Sequence, residues 1–353
     1  MSTKPHMIIT HAGSFHSDEV VAIALLERFY FLAPLVMTID EPQETVLAWM
    51  NGEEKTLPRL FFPDGTEDAR SAVPIVRTRD SLILKKAVGL SDVFVIDVGG
   101  EQDDDKLNFD HHQKSMTRTW NDGTPLSSTG LVWLYLRKNG LLNLPEEVLL
   151  DVENRLIKPL DLHDNGEGVC HVAGVMAGYN RSSSDPKEQD AQFWRALSMM
   201  REILSNTIFA AELKMEARIV LTEEWEKASA RGDTVVVLPR AIAYHDCAGL
   251  LKEVSGDRAD VIAIPGQGNR FSVISVRLDE PFSIKHPCPP EWRGRSDFAV
   301  EVKAGRPPIV VKFAHKSGFM CVVEGSAGQA REIARHVVRM NTQKSRPESP
   351  KPR

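Results

Sequence analysis

Residues 92–100 read DVFVIDVGG, and this stretch decides the fold class. The run from Val93 to Ile96 is apolar without alternation, Asp97 follows it, and Gly99 and Gly100 end it. Such a run is typical of a parallel strand that is covered on both faces. Ligands of open α/β sheets bind just outside the carboxyl ends of the strands. The stretch therefore predicts a central strand followed by a residue that caps the next loop or has a function.

Strands and helices alternate around this stretch. The sequence predicts strands over 7–10 and 107–109, a helix from an N-cap at Ser17 through Leu26, and a capped helix within 127–140. A further helix is expected from Pro145 through Leu156, with Pro159 ending or kinking it. This alternation predicts a doubly wound, parallel-sheet α/β domain over residues 1–185.

The remainder of the chain has a different pattern. Residues 186–230 are strongly helix-prone and predict a long helical connector. Short apolar runs then alternate with helical segments, which predicts a smaller α+β domain over residues 231–341. Residues 342–353 are polar and rich in Pro, and we expect a disordered tail there.

Composition excludes several classes of protein. The 353 residues are 42% hydrophobic and 26% charged, with a formal net charge of −6, which is typical of a soluble globular chain. The acid excess argues against a protein that coats DNA through bulk positive charge. The four cysteines form no CxxC pair, so neither a zinc ribbon nor a disulfide framework is expected. Without a recognisable signal peptide or membrane-spanning run, we expect a cytoplasmic protein that does not bind membranes.

Histidines and carboxylates form clusters in four places, each next to a predicted strand end or helix. Taken alone, each has an ordinary alternative as a polar loop, a cap or a turn. Imidazole and carboxylate together suit Mn, Zn or Fe, and four such clusters in one α/β domain favour a dinuclear metal site. The clusters are His11 with His16, Asp18 and Glu19; Asp97; Asp110 with His111 and His112; and Asp161 with His163 and Asp164.

At these residues the chain resembles the Myg-type exonuclease family of the DHH phosphoesterase superfamily. The resemblance spans residues 10–319 and includes THAGSFHSDEVVAIALL, VRTRD, VIDVGGE, FDHHQKS, LSSTGLVW, DxxDNG, FSIKHPCPPEWRGR and HKSGF. It implies a DHH-type domain that binds metals and a second domain that binds substrate.

The resemblance also implies roles for individual residues. His11, His16 and Asp97 would hold one metal, and Asp18, Asp97, His111 and Asp161 would hold the other, with Asp97 bridging. His112 would face the scissile phosphate and Asp110 would orient a histidine. Asp164 is an alternative to Asp161, because the DxxD spacing leaves this ligand ambiguous.

The second domain is expected to supply positive groups for the substrate. Residues 277–316 contain eight Lys and Arg against five Asp and Glu, which reverses the sign of the overall charge. Trp292 either stacks on a base beside the cation of Arg293 or belongs to the core. His315, Lys316 and Gly318 are candidate phosphate contacts, since a glycine allows close backbone approach.

The predicted function is that of a metal-dependent phosphodiesterase, and the resemblance implies a 3′-to-5′ exonuclease acting on single-stranded RNA. The expected cofactors are two divalent ions, with Mn²⁺ preferred and Mg²⁺ as a substitute. One alternative substrate is a very short oligonucleotide or a small phosphorylated nucleotide. A second alternative is a non-catalytic RNA-binding protein that retains the fold. The sequence leaves a homo-oligomer open.

Overall fold

The computed structural model describes residues 6–31, 35–38, 42–51, 73–180, 185–280 and 283–344. The chain folds into two compact units, Met1–Ala211 and Glu212–Arg353, each built around its own sheet. No helix among the described residues combines the length and the apolar character that crossing a membrane requires.

The first unit contains a six-stranded sheet of order β2-β3-β1-β4-β6-β5, parallel except at β5. Its strands are β1 (Met7–Thr10), β2 (Leu35–Thr38), β3 (Val73–Arg77), β4 (Val93–Ile96), β5 (Gln102–Asp103) and β6 (Asn108–Phe109). Its helices are α1 (Ser17–Leu26), α2 (Gln43–Met50), α3 (Ser81–Ala87), α4 (Ser128–Lys138), α5 (Glu146–Val152), α6 (Lys158–Asp164) and α7 (His171–Ala177). The predicted α/β architecture is present.

The sheet order brings four strand ends to one edge. The chain continues from β1 to neighbours on one side and then crosses to β4 on the other, which makes the edge beside β1 a topological switch point. Because β1, β3, β4 and β6 are parallel, the segments that follow them all leave the sheet at the same edge. The residues after these strands are therefore brought together.

Helices cover both faces of this sheet. One face packs against α2 and α3 through a core that includes Met7, Ile9, Trp49 and Val95. Every residue of α1 is buried, including Asp18 and Glu19 at its start. All four residues of β4 are also buried, as expected for a central parallel strand.

The long helix α8 (Pro186–Ser229) spans the boundary between the units. Its residues up to Ala211 belong to the first unit and those from Glu212 onward to the second.

The second unit has a largely antiparallel sheet of order β10-β11-β12-β9-β8-β7, with β7 and β8 parallel. One face packs against α10 and the other against α8 and α9. Its elements are β7 (Val235–Val237), α9 (Cys247–Ser255), β8 (Val261–Pro265), β9 (Arg270–Ser275), β10 (Ser296–Val300), β11 (Ile309–Ala314), β12 (Met320–Glu324) and α10 (Ala327–Lys344).

Three local expectations differ from the structure. Helix α1 has His16 as its N-cap residue, not Ser17. The helix expected to end or kink at Pro159 continues through a π-helical turn at Glu153–Ile157 into α6, and this wider turn is one way to accommodate the missing N–H of proline. Helix α10 extends to Lys344, into the expected tail, and residues 345–353 lie outside the described residues.

Candidate metal centre

His11 and Asp97 meet where β1 and β4 end. The Nε2 atom of His11 lies 3.3 Å from Asp97 Oδ2 and 3.0 Å from Glu19 Oε1. The ring centroid of His16 lies 5.8 Å from that of His11. These four residues offer ligand atoms within 4.8 Å of one another, so they could hold a metal ion.

A second group of ligand atoms shares Asp97. The Nε2 atom of His111, which follows β6, lies 3.4 Å from Asp97 Oδ1 and 3.0 Å from Asp164 Oδ2. It also lies 3.7 Å from Asp18 Oδ2. Two of these carboxylates, Asp18 and Asp164, form a further close group with His16. The structure thus brings together every predicted metal ligand except Asp161.

The backbone at Asp97 directs its carboxylate into this centre. Asp97 adopts the left-handed conformation with φ 57°, a region in which aspartate occurs more often than most residues other than glycine. The chain then turns through Gly99 at φ +102°, where an added Cβ would overlap with Val88. This turn directly after β4 therefore places the Asp97 carboxylate at the carboxyl end of the strand.

The first turn of α1 positions the next ligands. Glu19 Oε2 accepts a hydrogen bond of 2.8 Å from the backbone N–H of His16, which fixes the loop at the helix start. Ser128 at the start of α4 donates from N to Asp18 Oδ2 at 3.3 Å and from Oγ to Asp97 Oδ1 at 3.2 Å. The two helix N-termini therefore converge on the carboxylates.

The centre contains buried polar atoms without a hydrogen bond of normal geometry, and those of Glu19, Asp97 and His111 have only ion-pair contacts. A buried charged group without a partner is costly, and coordination of a metal removes that cost. The donor set of imidazole nitrogens and carboxylate oxygens fits a divalent transition-metal ion. The unsatisfied atoms are Asp18 Oδ1, Glu19 Oε1, Asp97 Oδ2 and His111 Nε2.

The clustered charges shift the pKa values of the ligands. Burial lowers the pKa of His11, but its contacts with Asp97 and Glu19 outweigh burial and raise the pKa to about 10. Burial also lowers the pKa of His111, but its contacts with Asp164 and Asp97 outweigh burial and raise the pKa to about 10. Burial and the neighbouring carboxylates, Asp97 first among them, raise the pKa of Asp18.

His112 and Asp110 form a pair beside the cluster. His112 Nδ1 lies 2.8 Å from Asp110 Oδ1, and the His112 side chain is 57% exposed, whereas Asp110 is buried. The hydrogen bond to Asp110 raises the pKa of His112, with burial opposing it. Asp110 is itself held by the backbone N–H of Gly100, at 2.7 Å from Oδ2. The geometry agrees with the expected orientation of a histidine by Asp110.

Asp161 lies apart from the ligands. Its buried carboxylate accepts hydrogen bonds from Trp120 Nε1 at 2.6 Å, from Ser127 Oγ at 2.6 Å and from the N–H of Gly130 at 3.0 Å. The N–H of Ser127 adds a fourth bond at 3.1 Å. Asp161 therefore anchors the start of α4, and of the two aspartates in the DxxD spacing it is Asp164 that reaches the cluster.

A cleft of about 530 Å³ opens onto the centre. It is lined by His11, Ala12, Gly13, Ser14, His16, Arg79, Asp97, Val98, Gly99, Asp110 and His112. Glu19 and Arg79 are not among the metal ligands and substrate contacts expected from the sequence, although Glu19 lies in the first cluster. The sequence held one signal for each residue. Glu19 directly follows the predicted ligand Asp18, and Arg79 lies within VRTRD, just after a strand.

The predicted substrate residues of the second unit have different surroundings. Trp292 is 6% exposed and stacks on His336 with ring centroids 5.7 Å apart. Trp292 belongs to the core cluster of the second unit, which is the second of the two expected alternatives. Arg293 is partly buried, with Nε donating to the carbonyl of Cys288 at 2.9 Å. Gly318, at φ +79°, leaves the space that Arg293 occupies.

The other two candidates lie on the turn between β11 and β12. His315 Nδ1 lies 2.8 Å from Ser317 Oγ, and Lys316 is exposed. Both can reach solvent, so they stay candidates for phosphate contacts. All four cysteines are buried and free, consistent with the absence of a disulfide framework.

Comparisons with known proteins identify a family and relatives that this chain resembles. A family model described as MYG1 exonuclease, uncharacterised protein family (UPF0160), matches residues 66–338. The MYG1 protein of Chlamydia pneumoniae is 26% identical over 90% of this chain and 92% of its own length. The human MYG1 exonuclease is 27% identical over 90% of this chain and 81% of its own length. A RecJ structure from Thermus thermophilus with Mn²⁺ covers 96% of this chain and 52% of its own, at 12% identity, but its TM-score of 0.23 is too low to carry an argument.

Proposed function

Because this chain belongs to the MYG1 exonuclease family (UPF0160), we propose that it is a metal-dependent phosphodiesterase that removes nucleotides from the 3′ end of RNA. The human and rat relatives are named exonucleases, which supports a nuclease-type hydrolase. The DHH motifs in the sequence support a place in the DHH superfamily as part of the same proposal.

One observation carries the proposal. Imidazoles and carboxylates form close groups of ligand atoms at the carboxyl edge of the sheet, Asp97 belongs to two of these groups, and the carboxylates of Asp18, Glu19 and Asp97 are buried. A protein that only bound RNA would have no need to bury three carboxylates so close to one another, because burial of like charges is costly.

We assign the ligands to two divalent ions, with Mn²⁺ preferred over Mg²⁺ because the donors include imidazoles. Two such ions, when bound, would lower the pKa of a water nucleophile and neutralise charge on the phosphate. Asp97 would be shared, as its two oxygens face different histidines. The first set is His11, His16 and Asp97, with Glu19 adjacent, and the second is Asp18, Asp97, His111 and Asp164.

His112 has the geometry of a proton donor. Asp110 accepts a hydrogen bond from the Nδ1–H group of His112, and the Nε2 atom of this partly exposed ring is left free to contact the substrate. As an imidazolium, His112 would hold a phosphate oxygen and pass its Nε2 proton to the leaving oxygen. General acid catalysis of this kind contributes about 10²- to 10⁴-fold to the rate.

The second unit would bind the part of the RNA strand that does not react. Arg293, His315, Lys316 and Gly318 remain the candidate contacts with substrate, whereas the burial of Trp292 removes it from that set. Contacts of this kind would favour a strand over a mononucleotide.

End-labelled RNA tests the proposal. With Mn²⁺, a 20-mer labelled at its 5′ end should yield a ladder of shortening products, and a 3′-labelled 20-mer should release labelled mononucleotide at once. EDTA and the variant Asp97→Asn should both abolish hydrolysis, whereas Asp105→Asn, at an exposed carboxylate outside the centre, should not.

Two results would contradict the proposal. Equal hydrolysis with Mn²⁺, with EDTA and by Asp97→Asn would exclude a metal-dependent reaction at this centre. Faster hydrolysis of a dinucleotide than of the 20-mer would assign the chain to short oligonucleotides instead.

A further inference from the structure

Two arginines near the end of β3 have opposite surroundings. The side chain of Arg77 is buried, with Nη1 paired to Asp190 at 2.5 Å and Nη2 donating to the carbonyl of Gly13 at 2.6 Å. Its guanidinium also lies 4.5 Å from the ring centroid of Phe193. Arg77 therefore holds the loop after β1 in place, whereas Arg79, two residues later, is exposed.

Arg79 is positioned by weak partners. Its Nε donates to the carbonyl of Ala12 at 2.9 Å, and its Nη2 lies 3.2 Å from His11 Nδ1. Within the described part of the chain, no carboxylate lies within 4.0 Å of this guanidinium, although Asp97 and Asp110 line the same cleft. Among the described residues, no carboxylate therefore neutralises the charge of Arg79.

Arg79 is also the sole Lys or Arg among the described residues that line the cleft. A guanidinium presents a planar set of donors that matches the oxygens of a phosphate, and the pair forms strong hydrogen bonds. The cleft beside it is open, since a Cβ added at Gly13 would meet nothing within 4 Å. An unpaired arginine facing such a space is suited to an anionic ligand.

The position of Arg79 identifies which phosphate it would reach. The imidazole of His11 lies between the guanidinium and Asp97, because Nδ1 faces Arg79 and Nε2 faces Asp97. A phosphate held at the Asp97 side is thus separated from Arg79 by the width of a ring. A second phosphate further along the strand would lie on the Arg79 side.

We propose that Arg79 binds the phosphate adjacent to the reacting diester, so that the site selects substrates with a second phosphate. This inference rests on the proposed phosphodiesterase function, and it assigns a specificity role that the sequence motifs do not.

Dinucleotides with and without a terminal phosphate test this role. The wild-type protein with Mn²⁺ should hydrolyse a dinucleotide that carries a 5′- or a 3′-phosphate faster than the unphosphorylated form, by about 10- to 100-fold in kcat/KM. Arg79→Ala should lose this ratio and Arg79→Lys should retain part of it. Lys85→Ala, which removes an exposed charge from α3 outside the cleft lining, should keep the full ratio.

Binding provides a readout that does not depend on hydrolysis. With a phosphorothioate at the diester, the phosphorylated dinucleotide should bind Arg79→Ala more weakly than wild type by a similar factor. If wild type binds in this way but cleaves no diester, the proposed function fails while the role of Arg79 stands.

Three results would overturn the role of Arg79. These are an unchanged preference in Arg79→Ala, the absence of any preference in wild type, and a loss of Mn²⁺ binding in Arg79→Ala. The last would mean that Arg79 acts by positioning His11.

Discussion

Asp161 and Asp164 lie three residues apart on α6 and have different partners. Asp164 faces His111 at 3.0 Å, whereas Asp161 is fully buried and accepts three hydrogen bonds from the start of α4 and one from Trp120. Burial is the main cause that raises the pKa of Asp161 to about 6, with its hydrogen bonds opposing it. The two carboxylates should therefore respond differently to removal of their charge.

Asparagine at each position separates the two roles. Asp164→Asn should weaken Mn²⁺ binding at least 10-fold with little loss of stability, because the lost pair with His111 is offset by relief of repulsion with Asp18. Asp161→Asn places an amide N–H₂ among donors and should cost about 2 to 4 kcal/mol of unfolding free energy. Calorimetric metal titration and urea unfolding measure the two effects, and the reverse pattern would return Asp161 to the ligand set.

The histidine ligands predict a pH dependence of metal binding. Folded-state pKa values near 10 for His11 and His111 mean that both rings carry a proton at neutral pH, whereas metal binding requires neutral rings. Addition of Mn²⁺ to EDTA-treated, dialysed protein should release protons, and the apparent affinity should rise as pH increases from 6 to 9. Titration in buffers of different ionisation enthalpy measures the release, and an affinity independent of pH would contradict this account.

The N-terminal turn of α4 links the anchor to the metal ligands. Ser127 and Gly130 bind Asp161, while Ser128 between them donates to Asp18 and Asp97. A Cβ at Gly130 would overlap with the Asp161 carboxylate and with Leu126. The small residue is therefore required by close packing at this turn.

Gly130→Ala should disturb both stability and the centre. We expect a loss of about 1 to 3 kcal/mol from overpacking, together with weaker Mn²⁺ binding as Ser128 shifts. Gly174→Ala is the matched control, because this exposed helical glycine has no atom within 4 Å of an added Cβ and should be neutral or slightly stabilising. Equal effects of the two substitutions in urea unfolding would exclude the packing role.

Elements with a strong sequence pattern could be predicted, and elements with a weak one could not. The unbroken apolar run of β4 and the capped ends of α4 identified these elements, and His11, Asp97 and His111 followed from their positions after strands. The short strand β3 contains Pro74, which weakens a strand pattern, and with it the place of Arg79 at the cleft was missed. The choice between Asp161 and Asp164 depended on contacts with α4 that are distant in sequence, so periodicity could not make it.

The whole molecule carries a formal net charge of −6, with four carboxylates clustered at the metal centre and an excess of basic residues in 277–316. If that basic stretch holds RNA, binding should weaken with salt, with a slope of about 0.7 per phosphate contact for single strands. Lys316→Ala should lower the affinity for a 20-mer and reduce this slope by about one contact, whereas Lys85→Ala should change neither. Fluorescence anisotropy over a range of NaCl concentrations provides the measurement, and identical slopes for wild type and Lys316→Ala would exclude the contact.

The central claim is that the cluster around Asp97 performs metal-dependent cleavage of phosphodiesters. The most direct test is the hydrolysis rate of 5′-labelled RNA as Mn²⁺ is titrated into EDTA-treated protein, with Asp97→Asn in parallel. We predict no cleavage without metal, a rate that levels off at two bound equivalents, and no cleavage by Asp97→Asn at any concentration. Cleavage by the metal-free protein, or an undiminished rate in Asp97→Asn, would contradict the account.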